Sequence, residues 1–268
     1  MLQHVFVILT KNQAVRHPAR MGRAAKSWSV DAMLSNHIIE LINNCSFIRQ
    51  KCALCGRADS QGALCPGCRA MLPPLPASRC PRCAEPTPDS MLCGHCQRHP
   101  PAFDALHVPY LFGYPLNGLI HAFKYGKRLQ LAGALADLLT DFSGCQAHEY
   151  DLVIPVPLAN ERLAERGFNQ SSELAKAFAV TINSRFSDDL CWRKCNTLPQ
   201  ASLGRAARLQ NVRHAFGVKR RCDGLSIAII DDVATSGATL SALAKVLKKQ
   251  GAERVDAWVL ARAFSPNT

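Results

Sequence analysis

Two adjacent carboxylates, followed by a run of small and hydroxylated residues, form the chemically most specific feature of this sequence. Asp231 and Asp232 are pure hydrogen-bond acceptors when ionised, and they would suit the vicinal hydroxyls of a ribose, with or without a Mg²⁺ ion. The next residues offer hydroxyls and backbone N–H groups at the start of a helix, which suit a phosphate. The pattern therefore predicts a site for a ribose 5′-phosphate, whose phosphate is bound by Ala234, Thr235, Ser236, Gly237, Ala238 and Thr239.

A strand and a helix must hold these groups in place. The β-branched run Ser226–Ile230 predicts a strand that is buried on both faces of a parallel sheet and ends at the acid pair. After the turn, apolar residues recur at helical spacing from Leu240 to Leu247, and Gln250-Gly251 provides a C-terminal stop. The acid pair would thus stand at the carboxyl end of a strand, where open α/β folds bind their ligands.

Three other interpretations of this stretch compete with a ribose-phosphate site. A P-loop needs a lysine ahead of its Ser or Thr, and no lysine lies between Asp231 and Thr239. A phospho-acceptor receiver domain can carry an acid pair after an apolar strand, but that pair opens such a domain and too little chain follows here. A purely structural strand–turn–helix connection would not need two adjacent acids. The ribose-phosphate interpretation is favoured over all three.

Cysteines provide the second specific signal. The chain contains 13 cysteines, and eight of them form four C-x₂-C pairs arranged as two repeats with the same internal spacing. Each pair can turn two thiolates towards one ion, and two pairs complete a closed tetrahedral site of the structural zinc type. The sequence therefore predicts two structural zinc ions, bound by Cys52, Cys55, Cys65, Cys68, Cys80, Cys83, Cys93 and Cys96.

The spacing leaves open whether the cysteines of one site come from one repeat or from both. Unligated thiols and a redox-active C-x-x-C are disfavoured because four such pairs recur regularly. His95 and His99 are interpreted as surface residues, since eight sulfurs suffice for two sites. The other cysteines lack this spacing and are expected to be ordinary buried or free thiols: Cys45, Cys145, Cys191, Cys195 and Cys222.

A second anion-binding segment is predicted after the strand at Asp151–Leu158. Residues 161–170 contain arginines, a glycine and two amides, and such a loop could form a mobile hood over an anion, anchored by a helix from Ser171 to Ile182. The alternative is a helix of salt-bridged surface residues, which the Gly167-Phe168-Asn169 triplet interrupts. The residues assigned to anion binding here are Arg162, Arg166, Gly167, Asn169 and Gln170.

Two basic stretches could also meet phosphate. Lys124 lies in a short basic segment that ends at Arg128, between helices predicted at 115–123 and 129–142; solvated helix ends are an equally good interpretation. From Leu190 to Asp223 the sequence contains no acid but many cations, and this run precedes the acid pair directly, so we expect it to border the same cleft.

Length and charge limit the class of protein. The 268 residues suit one ordinary domain plus a small one, and a net charge of +12 indicates an anionic partner, either a polyphosphate ligand or nucleic acid. No apolar run reaches transmembrane length and no signal peptide is recognisable, so we expect no membrane insertion and a cytoplasmic protein. Residues 1–50 are expected to be a basic extension with one helix, Met33 to Ile48; the alternative is a leader translated upstream of the true start.

Several segments together resemble one known family. They are His121-x-Phe-Lys-Tyr, Pro155-Val-Pro-Leu, Arg166-Gly-Phe-Asn-Gln, Thr197-x₂-Gln200 to Arg208-x₂-Asn211 to Phe216, and Ile229–Thr239. The last of these closely resembles the phosphoribosyl-pyrophosphate (PRPP) loop of type I phosphoribosyltransferases. With the double Cys₄ ribbon, from about Lys51 to Arg262, the sequence is similar to the ComF/GntX family.

The resemblance implies an α/β fold, namely a parallel-sheet type I phosphoribosyltransferase domain preceded by a small double zinc ribbon. The expected domains are the extension at 1–50, the ribbon at 51–100 and the phosphoribosyltransferase-like domain at 103–268. The implied ligand is PRPP or a nucleotide 5′-phosphate, with Mg²⁺ accompanying PRPP. If transfer occurs, the implied catalytic residues are Asp231, Asp232 and Arg166.

The resemblance also implies a role in handling incoming single-stranded DNA, together with the DNA-uptake machinery. The alternative is an active phosphoribosyltransferase that acts on an unidentified nucleobase or amine. Purine-salvage relatives place an acid where Thr235 stands, so purine salvage is disfavoured. Glutamine-dependent amidophosphoribosyltransferases share the loop but carry an N-terminal cysteine nucleophile domain, which this sequence does not contain.

Overall fold

The computed structural model describes residues 51–58, 64–126, 128–140, 149–194 and 215–264. The N-terminal extension and its expected helix, Met33 to Ile48, lie outside these residues. The described helices and strands, with one further 3₁₀ turn at Pro88–Ser90, follow in this order: α1 Pro66–Ala70, α2 Gly94–Arg98, β1 Ala105–His107, β2 Tyr110–Leu111, α3 Leu116–Tyr125, α4 Leu131–Thr140, β3 Leu152–Pro155, α5 Asn160–Arg166, α6 Gln170–Thr181, β4 Cys191–Arg193, β5 Phe216–Val218, β6 Ser226–Ala234, α7 Ala238–Lys249 and β7 Arg254–Arg262.

A parallel sheet stands at the centre of the described residues. Its order is β1-β7-β6-β3, and β2 pairs with β7 further along the same edge as β1. β4 and β5 form a separate antiparallel pair. Every described contact within the main sheet is parallel, which requires crossover connections and explains why helices cover its faces. The predicted α/β class is confirmed.

Alternation along the central strands sends side chains to two different cores. Ala228 and Ile230 of β6 pack with Trp258 and Leu260 of β7, and this face is covered by α3, α4 and α6. Ile227 and Ile229 face the other way, where they join α7 and the β4–β5 pair. Because successive strand residues point to opposite faces, a continuous apolar run is the pattern expected of a strand that is covered on both sides.

The acid pair lies inside β6 rather than after it. We predicted that the strand ends at Ile230, but β6 continues to Ala234, because Asp231 pairs with Val259 and Ala234 pairs with Arg262 of β7. The length of the neighbouring strand, which local sequence does not report, sets this boundary. β3 and helices α3, α4, α6 and α7 appear where they were predicted, with ends shifted by a few residues.

The ribbon packs on the sheet domain. Cys52, Leu64 and Leu72 belong to the same buried core as Leu116 and Leu119 of α3. The proline-rich segment between the two cysteine repeats pairs with β2, where Leu111 N donates to the carbonyl oxygen of Pro73 at 2.9 Å. The boundaries of the three expected domains stay predictions. Within the described part of the chain, no helix is both long and apolar enough to cross a membrane.

Candidate zinc sites and ligand cleft

The eight repeat cysteines gather in two clusters, one for each repeat. Within each cluster the four Sγ atoms lie within 4.8 Å of one another. The Sγ atoms of Cys55 and Cys65 are 3.7 Å apart, and those of Cys83 and Cys93 are 3.6 Å apart. Tetrahedral zinc with Zn–S bonds of about 2.3 Å places its sulfurs roughly 3.8 Å apart, so both clusters fit one zinc ion each. The open question of pairing is thereby answered, because each site forms within its own repeat.

The electrostatics of the clusters suit a bound cation. Burial and the neighbouring sulfurs raise the pKa of Cys68 to about 12. At Cys52 burial is outweighed by hydrogen bonds from backbone N–H groups, including that of Cys65, and its pKa falls to about 6. Four thiolates at these distances repel one another unless a metal ion balances them.

Of the two histidines that were interpreted as surface residues, His99 is exposed and His95 is half-buried. Their rings lie 5.7 Å apart, and the described clusters of metal-ligand type contain cysteines alone. Cys191 and Cys222 are buried free thiols, as expected. Three of the other cysteines lie outside the described residues: Cys45, Cys145 and Cys195.

A cleft of about 310 Å³ opens at the carboxyl ends of β3 and β6. It brings together cations from α3, α5 and β4, the acid pair of β6 and hydroxyls of the following turn. The lining residues are Phe112, Lys124, Val156, Pro157, Leu158, Arg162, Arg166, Gln170, Ser171, Arg193, Asp231, Asp232, Val233, Thr235, Thr239 and Ala263. A cleft lined by both signs of charge suits a ligand that carries hydroxyls as well as phosphates.

The acid pair is held by two side chains from different helices. Lys124 of α3 forms an ion pair with Asp232, whose side chain is buried. The Ser171 hydroxyl of α6 donates to Asp231 Oδ1 at 2.8 Å. Burial and the adjacent Asp232 carboxylate raise the pKa of Asp231 to about 7, although the Ser171 hydrogen bond opposes this rise. The pair is therefore fixed in place, and the protonation of Asp231 changes near neutral pH.

The turn after β6 forms a smaller recess of about 50 Å³ beside the cleft. Gly237 has φ +72°, a conformation that favours glycine, and it precedes the first residue of α7. Ser236 Oγ accepts a hydrogen bond from Ala238 N at 3.3 Å. All six residues predicted to bind phosphate line this recess, together with Asp231, Val233 and Leu240. The start of α7 thus lines the recess.

The predicted hood differs from expectation, because its first part is helical. Residues 160–166 form α5, which ends where Gly167 adopts φ +80°. Arg166 Nη2 donates to the Tyr125 hydroxyl at 2.9 Å, and Nη1 donates to Gln170 Oε1 at 3.0 Å. The guanidinium carbon lies 4.8 Å from the centre of the Tyr125 ring. The prediction of a loop was wrong for α5, and Gly167 marks the break between two helices.

The predicted binding residues fall into two groups. Arg162, Arg166, Gln170 and Lys124 line the cleft. Gly167 and Asn169 are absent from the lining. Gly167 ends α5, and Asn169 caps α6 by accepting from Ser171 N, while its Nδ2 donates to the carbonyl oxygen of Val156 at 3.1 Å. Both hold the segment in place rather than lining the cleft.

Sequence reasoning missed Ser171 and Phe112 as cleft residues. Ser171 was treated only as the start of a helix. In the structure Asn169 caps that helix, and the Ser171 side chain faces β6, where it donates to Asp231. Phe112 is exposed and follows β2 directly, and nothing near it in sequence relates it to the acid pair. Only the sheet order brings it to the cleft.

The long basic run reaches the cleft through one described residue, Arg193. β4 and β5 both lie within this run and pair antiparallel. Lys194 N, directly after β4, donates to the carbonyl oxygen of Ala215, directly before β5, at 2.6 Å. Arg128 is exposed and does not line the cleft. Several cations of these stretches lie outside the described residues: Lys127, Arg205, Arg208 and Arg213.

Comparison with known proteins identifies a family model, sequence relatives and solved structures to which this chain is similar. A family model described as a double zinc ribbon domain matches residues 47–97. DNA utilization protein YhgH of Escherichia coli O6:H1 is 34% identical over 193 residues, which cover 69% of this chain and 84% of that protein. Competence protein F of Haemophilus influenzae is 30% identical over 213 residues, covering 76% and 92%. A purine phosphoribosyltransferase from Pyrococcus horikoshii covers 52% of this chain and 82% of its own at 15% identity, with a TM-score of 0.29.

The expected fold, a parallel-sheet phosphoribosyltransferase type behind a small zinc ribbon, is confirmed by the sheet, the strand–acid pair–turn–helix unit and the two Cys₄ clusters. The similarity to the DNA utilization and competence proteins covers 69% and 76% of this chain. The chain therefore belongs to the ComF/GntX family, in which a double zinc ribbon is joined to a type I phosphoribosyltransferase domain.

Proposed function

We propose that the cleft binds PRPP or a nucleotide 5′-phosphate, and that the protein handles single-stranded DNA in the cytoplasm. The observation that carries the first part is the convergence of the acid pair, four cations and the turn of α7 on one cleft. The names of the relatives, DNA utilization and competence proteins, support the second part.

The parts of the ligand match different groups of the cleft. The 5′-phosphate accepts hydrogen bonds from the first backbone N–H groups of α7 and from the hydroxyls of Thr235, Ser236 and Thr239. The ribose hydroxyls donate to Asp231 and Asp232. This division uses the donors of the turn for the anion and the acceptors of β6 for the sugar.

The diphosphate of PRPP would meet the cations that face the acid pair. Lys124, Arg162, Arg166 and Arg193 come from three helices or strands and line the same cleft. The contact of Arg166 with Tyr125 and Gln170 orients its guanidinium, and an oriented fork suits the oxygens of a phosphate. Lys124 can exchange its pairing with Asp232 for a phosphate oxygen when the ligand enters.

A magnesium ion fits this site in association with PRPP. The carboxylates of Asp231 and Asp232 are oxygen ligands of the kind that Mg²⁺ prefers, and they stand beside the place proposed for the ribose. When bound, Mg²⁺ would neutralise charge on the diphosphate. The protein would orient the sugar and hold the loop closed over its phosphate.

The single-stranded DNA role rests on charge and on exposed aromatic groups. The chain carries a net charge of +12, and its longest acid-free basic run borders the cleft at Arg193. Phe112 and Tyr125 expose their rings at and beside the same cleft. Cations that follow the phosphates and aromatic rings that stack on bases give sequence-tolerant binding of single strands.

An active phosphoribosyltransferase is the alternative function. In its favour, the acid pair and Arg166 line one cleft with the phosphate-binding turn. Against it, Thr235 occupies the position where the resemblance places an acid in purine-salvage enzymes, and a threonine hydroxyl cannot act as a base at neutral pH. We therefore favour ligand and DNA binding, with or without transfer.

Two assays separate these functions. Binding of single-stranded DNA across a salt series tests the DNA role, and pyrophosphate release from Mg–PRPP with a panel of nucleobases and amines tests transfer. Salt-sensitive DNA binding without pyrophosphate release supports the proposed role. Rapid release with one acceptor, together with no DNA affinity at moderate salt, would contradict it.

A further inference from the structure

A buried arginine joins the second cysteine repeat to the phosphate-binding turn. Arg262, at the end of β7, is 2% exposed. Its Nε donates to the carbonyl oxygen of Cys83 at 2.8 Å, and its Nη1 donates to the carbonyl oxygen of Ala234 at 3.1 Å. Cys83 belongs to the second zinc site, and Ala234 is the last residue of β6, directly before the turn. One guanidinium therefore contacts both sites.

Arg262 makes further contacts that hold its guanidinium in place. Nη2 forms an ion pair with Glu85 at 3.0 Å, and Nη1 also donates to the carbonyl oxygen of Ala263 at 3.0 Å. Its own carbonyl oxygen accepts from Phe112 N at 2.9 Å. A buried charge is stable only when its partners stay in place, and the planar fork of arginine fixes several partners at once.

Two further contacts link the same repeat to the turn. The Phe103 ring, which is 1% exposed, lies against Gly237, so a Cβ added at that glycine would stand 3.9 Å from the ring. Ala102 N donates to Ser241 Oγ of α7 at 3.0 Å. Both residues lie on the short segment that leaves the second repeat. The turn and the start of α7 thus rest on the second repeat as well as on β6.

The first repeat packs elsewhere. Cys52, Cys65 and Cys68 belong to the core that includes α3 and α4, on the opposite face of the sheet from α7. The buried cysteines of the second repeat form a separate small cluster. The two repeats therefore share a ligand spacing but differ in which part of the sheet domain they support.

We infer that the second Cys₄ site, acting through Arg262, positions the phosphate-binding turn, so that filling this site with metal strengthens binding of a ribose 5′-phosphate. Arg262 is a positioning residue, since it lies behind the turn and does not line the cleft. The inference rests on the proposed function only for the identity of the ligand. The coupling between the second metal site and the order of the turn does not depend on which ligand the cleft binds.

The first test replaces the arginine in the full-length protein. Arg262→Met removes every donor and should lower the affinity for Mg–PRPP at least tenfold, while amide hydrogens of residues 235–240 should exchange at least tenfold faster in the absence of ligand. Arg262→Lys keeps the charge but has fewer donors, so its affinity and exchange rates should lie between those of the parent and of Arg262→Met. This variant replaces Arg262→Met in the test if the methionine variant fails to fold. Arg98→Met, an exposed arginine in the same repeat, is the matched control and should behave as the parent does.

The second test removes one metal at a time. Cys96→Ser in the second site and Cys55→Ser in the first should each reduce the zinc content by one ion per chain. The inference predicts faster exchange in residues 235–240 and at least a tenfold loss of affinity for Cys96→Ser, against at most about a threefold loss for Cys55→Ser. Equal losses from the two variants would overturn it, as would normal exchange in a folded Arg262→Met or Arg262→Lys variant.

Failure of the ligand assignment gives a different result. If the parent does not bind Mg–PRPP, the proposed function fails, but the exchange of residues 235–240 in the parent and the variants still decides whether Arg262 and the second metal order the turn.

Discussion

The ribbon and the cleft obtain their chemistry in opposite ways. All eight metal ligands lie between residues 52 and 96, and each site forms within one repeat. The cleft collects its lining from residues between 112 and 263, carried by α3, α5, α6, β4, β6 and the turn before α7. The ribbon is therefore specified by local spacing, whereas the cleft exists only when the whole sheet domain is folded.

This difference predicts where each region is vulnerable. The ribbon contains short helices and few buried apolar residues, so its stability depends on the metal ion that each cluster holds. The cleft depends on a sheet whose central strands are buried on both faces. Loss of metal should destabilise the ribbon before the sheet domain. Single substitutions in the cleft should lower ligand affinity more than they lower the stability of the fold.

Removal of both metals should have the largest effect. Purified protein should contain two zinc ions per chain, and a strong chelator should unfold the ribbon because closed Cys₄ sites supply its folding free energy directly. Metal analysis by mass spectrometry, combined with hydrogen exchange of residues 64–98, measures both outcomes. One ion per chain, or none, would contradict the two-site assignment.

Within the cleft, Asp232→Asn should have the next largest effect. The substitution keeps the size of the side chain but removes the charge that pairs with Lys124 and that a Mg–PRPP complex requires. Hydrogen bonds to charged groups contribute about 1.5–3 kcal/mol, so the affinity should fall at least tenfold. Calorimetric titration with Mg–PRPP measures this affinity.

The matched control for this substitution is Asp223→Asn, because Asp223 is exposed and pairs with Arg221 away from the cleft. Its affinity for Mg–PRPP should equal that of the parent. If Asp232→Asn also binds as the parent does, the assignment of the acid pair to the ribose is wrong.

DNA binding should respond to the basic run more modestly. Arg205→Ala together with Arg208→Ala should weaken single-stranded DNA binding and reduce the dependence of log affinity on log salt by roughly 1.4, since each phosphate contact to a single strand contributes about 0.7. Fluorescence anisotropy across a salt series measures this slope.

Arg185→Ala is the control for the DNA measurement, because Arg185 Nε donates to the carbonyl oxygen of Asp151, next to the amino end of β3 and away from the cleft. An unchanged slope in the double variant, or an equal change in the control, would show that the basic run does not contact the DNA.

The smallest expected effect concerns pH. Asp231 must be ionised to accept from the ribose, and its pKa is raised to about 7, so PRPP affinity should rise as pH increases through that value. Ser171→Ala removes a hydrogen bond that lowers this pKa; a loss of about 1 kcal/mol moves the midpoint up by roughly 0.7 pH units. The affinity should then fall about threefold at pH 7 and hardly at all at pH 9. Titrations from pH 6 to 9 measure the shift, and Ser172→Ala is the control whose midpoint should match the parent's.

The ribbon could be predicted from sequence almost completely, because ligand type and spacing determine a tetrahedral site. Only the pairing was open, and the packing of each repeat answered it. The same holds for the unit from β6 to α7, where an apolar run, an acid pair, small residues and helical spacing follow one another along the chain.

The rest of the cleft depends on contacts between distant residues. The acid pair lies within β6 because β7 is long enough to pair with it, and local sequence does not contain that length. The helical form of α5 was missed because Gly167 was taken to disrupt the whole segment, whereas it only ends the helix. Phe112 and Ser171 reach the cleft through sheet order and helix packing alone.

The most direct test of the account is a calorimetric titration of the zinc-loaded protein with Mg–PRPP, ribose 5-phosphate and pyrophosphate in turn. If one cleft holds the 5′-phosphate in the turn, the sugar on the acid pair and the diphosphate against the facing cations, PRPP should bind most tightly at one site per chain, and it should displace both ribose 5-phosphate and pyrophosphate. Absence of saturable PRPP binding, or binding of ribose 5-phosphate or pyrophosphate that PRPP does not displace, would contradict it.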